Sequence, residues 1–397
     1  MKMSKHEIKE GVHWVGAVDW DIRNFHGYAT DRGSTYNSYL ILDEKKVLID
    51  TVKSYMSDAL INNIENIIDI KNLDFVVVNH VEPDHSGSIE KIIALSDATI
   101  ITTKKGKNHL ELHYDDAKNW NYKIVDTGES ISIGKRTLTF VKTPMLHWPD
   151  NMVTYSQEDK ILFSNDAFGQ HIATSKRYDY EIKSIMDDAK EYFANILLPY
   201  KSLIPNAVKT VKGLDIEYIC PSHGGIWTKK IDDILDAYLE WSGNKLNEKA
   251  VIAYDSMYGS THKLALSIAD GLIEKGIDVK IYNISKTPMN KIIVDMIDAK
   301  YVLIGSPTLN STVYPSVAMF LNYMEGLKMP PKIGVAFGSF GWGEAASKVI
   351  KESFNKLKFD IIEDKCLKCK FVPKKDHLNE CYEFGKNLTI LNIESKN

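Results

Sequence analysis

Cysteine is scarce: the 397 residues hold four, too few for a disulfide framework in a chain this long. One C-x-x-C occurs, Cys366-Leu367-Lys368-Cys369, with Cys381 further on and Cys220 far upstream. A rubredoxin-type iron centre or a zinc ribbon needs a second such pair, so these thiols read as core or surface residues. No apolar run approaches the roughly 18 residues of a membrane span, so no membrane association is expected. The opening MKMSKHEIKEGVHWVG carries charge but no apolar stretch, so no secretory signal is expected there. There is no basic surplus either: a formal net charge of −4 argues against a dedicated nucleic-acid binder. A reducing cytoplasm is the expected location. The length itself predicts two or three domains.

Two kinds of sequence follow one another. Residues 1–243 alternate short strands, near 36–42, 46–50, 75–79, 99–103, 123–126, 137–142, 152–156 and 160–164, with helical stretches near 56–69, 86–95, 106–116 and 183–212. Adjacent strands are joined by turns as short as Asp43-Glu44-Lys45-Lys46 and Gln157-Glu158-Asp159-Lys160, which predicts antiparallel hairpins. A mixed, layered α/β arrangement is expected. After a polar linker at 244–249, residues 250–397 change to strict strand–helix alternation, with strands at 250–254, 278–282, 301–305, 332–337 and 359–363. Five strands in units of roughly 25–30 residues is the doubly wound, flavodoxin-like pattern of a parallel sheet.

The densest chemistry lies in NHVEPDHSGS, residues 79–88, at the end of an apolar strand. His80, Glu82, Asp84 and His85 occupy six positions, and alternation along an extended segment would turn His80, Glu82 and Asp84 to one side. Hydrolases of the β-lactamase kind place H-x-H-x-D-H at such a strand end; here glutamate replaces the second histidine. Three later loops, MLHWPD, FSNDAF and CPSHGG, each add a ligand-type residue: His147, Asp166 and His223. Seven ligands suit two metals sharing a carboxylate, for which Asp166 is the natural bridge. The economical division gives one metal His80, Glu82 and His147 and the other Asp84, His85 and His223. Mixed imidazole and carboxylate ligands suit iron, whereas common zinc sites lean to nitrogen and sulfur. Two Fe(II) with three carboxylates carry a formal charge of about +1, as do two Fe(III) with an added oxo bridge, so the pair can cycle without burying a large net charge. His109 and His113 fall at helical spacing in a polar stretch and read as surface residues.

In the second half, the first strand runs into Ser256-Met257-Tyr258-Gly259-Ser260-Thr261 and a helix start. Hydroxyls, a glycine and free helix N–H groups make a phosphate cradle, although neither a Walker A loop nor G-x-G-x-x-G is present. The loops after the third and fourth strands carry Pro307, Thr308, Leu309 and Asn310, and then Ser339, Phe340, Gly341 and Trp342. Doubly wound sheets bind ligands at these strand ends. Together the three loops predict an FMN site, with Phe340 or Trp342 available for stacking.

HVEPDH, LHWPD, SNDAFGQH and SHG, together with DWDIRNFHGY near the start and GSFGWG at 338–343, resemble the flavodiiron (A-type flavoprotein) family over essentially the whole chain. The resemblance implies a metallo-β-lactamase-like αββα domain with a non-haem diiron site, oxo- or hydroxo-bridged, followed by a flavodoxin-like domain with FMN. It implies reduction of O2 to water, of NO to N2O, or of both. It places His80, Glu82, His147 and bridging Asp166 on one iron, and Asp84, His85, His223 and the same Asp166 on the other. It also implies a head-to-tail homodimer or dimer of dimers, because flavin and irons within one chain are too far apart for fast transfer. With no second C-x-x-C, electrons are expected from a separate donor, a rubredoxin or reduced F420. His171 and Tyr200 are candidates to supply protons or hydrogen bonds at the metal pocket. The competing expectation is a zinc hydrolase with an accessory flavodoxin-like domain; Glu82 and the flavin loops count against it.

Overall fold

The computed structural model describes residues 6–394. The chain divides into two compact units: the first holds the residues up to Phe193 with Tyr200–Leu239, the second Ala194–Pro199 with the residues from Glu240 onward.

In the first unit, strands His6–Lys9, Val12–Trp14, Tyr39–Leu42, Lys46–Ile49, Phe75–Val77, Thr99–Thr102 and Tyr122–Ile124 form one mixed sheet in that spatial order. A second sheet runs Ser130–Ser132, Thr137–Lys142, Met152–Ser156, Ile161–Asn165 and Tyr218–Pro221. The two short turns close antiparallel hairpins, pairing Leu42 with Lys46 and Ser156 with Ile161. Because side chains alternate along a strand, each central strand of the first sheet serves two cores. Leu40, Leu48, Val76 and Ile100 pack with Leu60, Ile64, Ile89 and Ile92 of the helices Ser57–Glu65 and Ile89–Ser96. Their neighbours Ile41, Val47, Ile49, Val77 and Ile101 pack with Leu138, Phe140, Met152, Ile161 and Phe163 of the other sheet. A strand apolar on both faces is thereby buried on both, and the sheets form a lactamase-like sandwich.

The second unit is a parallel sheet in the order Asp278–Asn283, Asn247–Tyr254, Ala299–Gly305, Ile333–Phe340, Asp360–Ile362. This is the 2-1-3-4-5 order of flavodoxin-like folds. The first strand begins at Asn247, so residues 247–249 do not act as linker. Asn247 pairs with Ala299 and Lys249 with Asp278, and the Lys249 ammonium lies between Asp295 and Asp298 at 2.6 and 3.2 Å. Polar composition there reflects ion pairing at a sheet end rather than a hinge.

Beyond the five strands, Lys368–Lys370 pairs in parallel with the extension Gly338–Phe340. The C-x-x-C motif lies here. Cys366, Cys369 and Cys381 are buried in the core of this unit, and the Cys381 thiol donates to the Cys366 carbonyl at 3.1 Å. Cys220 is buried between the two sheets of the first unit. Among the described residues no cysteine joins a group able to hold a metal.

Candidate metal and flavin sites

All seven sequence-derived ligands lie at or just beyond the carboxyl ends of strands or hairpins in the first unit. His80 and Glu82 follow the strand Phe75–Val77. Asp84 and His85 do not continue it in extended form: Pro83 opens a helical turn, Pro83–Ser86. Alternation therefore accounts for His80 and Glu82 but not for Asp84, which the turn carries toward a different set of partners. His147 comes from the loop before Met152–Ser156, Asp166 from the end of Ile161–Asn165, and His223 from the end of Tyr218–Pro221.

The side chains form two triads around one carboxylate. His80 Nε2 and His147 Nε2 each lie 3.3 Å from Glu82 Oε2, and 3.7 and 3.4 Å from Asp166 Oδ2. On the other side, His85 Nε2 and His223 Nε2 lie 3.6 and 3.1 Å from Asp84 Oδ2, and 3.1 and 3.5 Å from Asp166 Oδ1. Asp166 thus turns one oxygen to each triad. His80, Glu82 and His147 form one group with converging ligand atoms; Asp84, His85 and His223 form another.

The outer hydrogen bonds set the tautomers. His223 Nδ1 lies 2.7 Å from the Thr35 carbonyl, which can only accept, so Nδ1 carries the hydrogen and turns a bare Nε2 inward in the neutral ring. His80 Nδ1 likewise donates to Asp150 Oδ2 at 3.0 Å. Asp166 Oδ1 accepts from the Tyr192 hydroxyl at 2.8 Å, and His26 Nδ1 lies 3.2 Å from Glu82 Oε1. Both oxygens of Asp84, Asp166 Oδ2, and the Nε2 atoms of His85 and His223 are buried without an aligned hydrogen-bond partner. Such orphaned acceptors are costly to bury unless a cation satisfies them, and carboxylate oxygens with inward imidazole nitrogens are a fitting donor set for iron.

Electrostatics point the same way. Burial pulls the His80 and His147 imidazoles down, but hydrogen bonds to Asp150 and Glu82 for the first, and to Asp166 and Glu82 for the second, raise both to about 10. His85 and His223 rise to about 9 against the same burial penalty, through Asp166 and Asp84. Glu82, Asp84 and Asp166 are held below the ordinary carboxylate range, the imidazoles outweighing burial. Protons on four imidazoles are the chain's own means of balancing three carboxylates, and cations would displace them.

His171 lies beside this cluster, its ring centroid 5.0 Å from that of His223 and 4.9 Å from that of Tyr192. Its Nδ1 meets Ser34 Oγ at 3.0 Å, while its Nε2 is buried without a partner. Burial, then the His223 and His26 charges, keep the ring neutral. Tyr200 is half-buried on the helical turn Leu198–Leu203; the phenol that reaches Asp166 is Tyr192, which sequence reasoning passed over. His109 is not a plain surface residue. Its Nδ1 donates to Asp150 Oδ1 at 3.1 Å, and Asp150 holds His80. His113, at the end of the same helix, is exposed.

In the second unit a cavity of about 550 Å³ opens at the strand ends. It is lined by Met257, Tyr258 and Ser260, by Pro307, Thr308, Leu309 and Asn310, and by Ser339, Phe340, Gly341 and Trp342. Ser311 and Gly343, the next residues of the same two loops, complete it together with two residues that sequence reasoning missed, Phe371 and Val372. The last two follow the added strand Lys368–Lys370, a pairing with no periodic signature. Ser256, Gly259 and Thr261 shape the first loop rather than the cavity wall. Gly259, at φ 82°, caps the helix Ser260–Glu274 in a conformation only glycine adopts freely, and Thr261 Oγ1 meets Ser339 Oγ at 3.0 Å. Ser256 Oγ is buried with no partner beside this helix N-terminus, which suits a phosphate acceptor. A Cβ on Gly338 would lie 1.9 Å from the Ser306 carbonyl, so only glycine lets the second and third loops meet.

A lactamase-like sandwich carrying two carboxylate–imidazole triads, joined to a flavodoxin-like unit with an aromatic-lined cavity, defines a class of flavin-linked metalloproteins. Two family models match the corresponding segments: "ODP family beta lactamase" over residues 35–224 and "Flavodoxin" over residues 252–385. The chain is 44% identical to a nitric oxide reductase of Moorella thermoacetica, over 96% of this chain and 97% of that protein. It superposes on the flavodiiron protein of Giardia intestinalis with a TM-score of 0.95 at 37% identity, covering 99% of this chain and 98% of the other. The rubredoxin oxygen:oxidoreductase of Desulfovibrio gigas gives 0.94 at 37% identity, over 99% and 100%. The chain belongs to the flavodiiron protein family.

Proposed function

We propose that the chain is an oxidoreductase that reduces O2 to water, NO to N2O, or both, at two irons fed with electrons through FMN. The observation that carries this reading is Asp166, whose two oxygens face two separate triads. In this reading His80, Glu82, His147 and Asp166 Oδ2 hold one iron, and Asp84, His85, His223 and Asp166 Oδ1 hold the other. When bound, the metal pair supplies gas binding and electrons, and the flavin a further two-electron store.

The chain's own residues orient and protect. Asp150 and the Thr35 carbonyl lock His80 and His223 with Nε2 inward. Tyr192 holds Asp166 by a charge-assisted hydrogen bond. Phe25 and Tyr192 flank His171 at ring distances of 4.8 and 4.9 Å and form an aromatic wall beside His223. His171 stays neutral, so its buried Nε2 is available to a polar group in the pocket. In the second unit the cavity loops would hold the flavin ring between Trp342, Phe340 and the Thr308–Asn310 loop, with its phosphate at Ser256–Thr261.

A rubredoxin donor fits the name of the Desulfovibrio gigas relative, and a separate donor, rubredoxin or reduced F420, fits the resemblance set out above. So do a head-to-tail homodimer or dimer of dimers, a cytoplasmic location, and a division into diiron residues 1–243 and flavin residues 250–397. Metal and flavin analysis of the purified protein, with anaerobic assays of O2 and NO consumption using each donor, tests the reading. About two irons and one FMN per chain are expected; zinc without flavin would instead favour a hydrolase.

A further inference from the structure

We infer that His109 is a positioning residue for the metal site, acting through Asp150 on His80. His109 lies on the helix Lys104–His113, in a strongly polar stretch of sequence. Its side chain is only 26% exposed, because it turns inward to Asp150, which is 1% exposed. The Asp150 carboxylate is shared in a defined way. Oδ2 accepts from His80 Nδ1 at 3.0 Å and from the Val81 amide at 2.8 Å, while Oδ1 accepts from His109 Nδ1 at 3.1 Å. The Asp150 carbonyl also accepts from Thr103 Oγ1, at the N-cap of the helix that carries His109. One helix therefore fixes the backbone and one side-chain oxygen of the residue that orients a ligand.

The electronic consequence follows from how a carboxylate divides its charge. A donor on Oδ1 withdraws density from Oδ2 and weakens its pull on the His80 Nδ1 hydrogen. Without that donor, Asp150 draws the hydrogen more strongly and His80 gains imidazolate character at Nε2. A more basic ligand stabilises the oxidised metal, so His109 holds the potential of its site up as well as fixing the ring's orientation. His109 touches neither metal ligand atoms nor substrate.

The inference rests on the metal assignment proposed above, and its test keeps the two apart. His109→Leu removes the donor at similar bulk; His109→Asn places an amide N–H where Nδ1 stood. Two readings are taken on loaded protein: the rate at which a chelator strips metal, in iron-, zinc- and cobalt-loaded forms, and the midpoint potential of the iron form. His109→Leu is expected to lose metal on the order of tenfold faster and to show a lower midpoint potential. His109→Asn is expected to restore both. Wild-type values for the leucine variant, or failure of asparagine to restore them, overturns the inference and leaves His109 a packing residue beside Trp148. His109→Ala gives the same two readings if the leucine variant does not fold. Stripping rates with zinc or cobalt report on His109 even if the native metal is not iron, so failure of the iron reading registers separately, in the wild-type metal content.

Discussion

The Tyr192 hydroxyl lies 2.8 Å from Asp166 Oδ1, the oxygen that faces Asp84, His85 and His223, and not from Oδ2, which faces the other triad. Two ligand sets of similar composition are therefore unlike in the basicity of the oxygen they share. The phenol is itself buried, and burial, followed by the Asp166 charge, pushes it well above its ordinary value, so it acts as a hydrogen-bond donor and not as a phenolate.

Tyr192→Phe tests that asymmetry. The variant keeps the ring and loses the donor, leaving a buried carboxylate oxygen less satisfied at a cost of about 1–3 kcal/mol. Turnover with either gas is expected to fall roughly tenfold with the fold intact, read from steady-state gas consumption alongside iron content. Unchanged turnover would show that the phenol only fills space.

Glu82→His restores the H-x-H spacing of the zinc hydrolases. It removes the carboxylate that lies 3.3 Å from both His80 and His147 and 3.2 Å from His26. The variant is expected to take up zinc in preference to iron when grown with both, as metal analysis would reveal. Retention of two irons at wild-type level would count against Glu82 as the residue that selects them.

Metal-stripped protein should show a pH dependence that loaded protein lacks. His80 and His147 at about 10, and His85 and His223 at about 9, stand above the ordinary 6.5 of an unfolded chain. Raised histidines contribute stability that is complete below about 6.5 and is lost as pH climbs through 9 to 10. The depressed carboxylates contribute stability above about 4, lost in acid. The thermal midpoint of stripped protein is therefore expected to fall between pH 7 and 10, with loaded protein nearly flat over that range. Proton release on metal addition, followed with an indicator dye at pH 8, checks the same charges independently.

Ser256→Ala should separate flavin binding from folding. Its hydroxyl is buried without a partner, so deletion costs the flavin-free protein little, while FMN affinity drops about 10- to 100-fold through one lost bond to a charged group. Gly338→Ala is the complementary case. Its Cβ would meet the Ser306 carbonyl at 1.9 Å, which forces the loops apart, and FMN titration is expected to find no binding.

Much of the metal site is legible because ligand-type residues stand where strands end, and strand ends can be read from apolar runs. What is not legible depends on distant partners. His109 looked solvated because its helix is polar, and the carboxylate that draws it inward is 41 residues away. Tyr192 and Tyr200 fall in one expected helical stretch, 183–212, but the chain there passes through a wide helical turn at Phe193–Leu197 and a tight one at Leu198–Leu203. Helical periodicity cannot carry a face across those changes of pitch. Asp84 was recognised by type but for an incomplete reason, since Pro83 ends the extended segment before it. Phe371 and Val372 enter the flavin cavity only through a three-residue strand, too short to show a pattern.

That late strand has a consequence for how the molecule is made. Every metal ligand has been synthesised once His223 is, whereas the flavin cavity has no complete wall until Val372 leaves the ribosome. Domains fold largely in order of emergence, so the metal pocket can close and fill while the flavin pocket is still being translated. The order of the two pockets along the chain thus lets metal loading precede flavin loading.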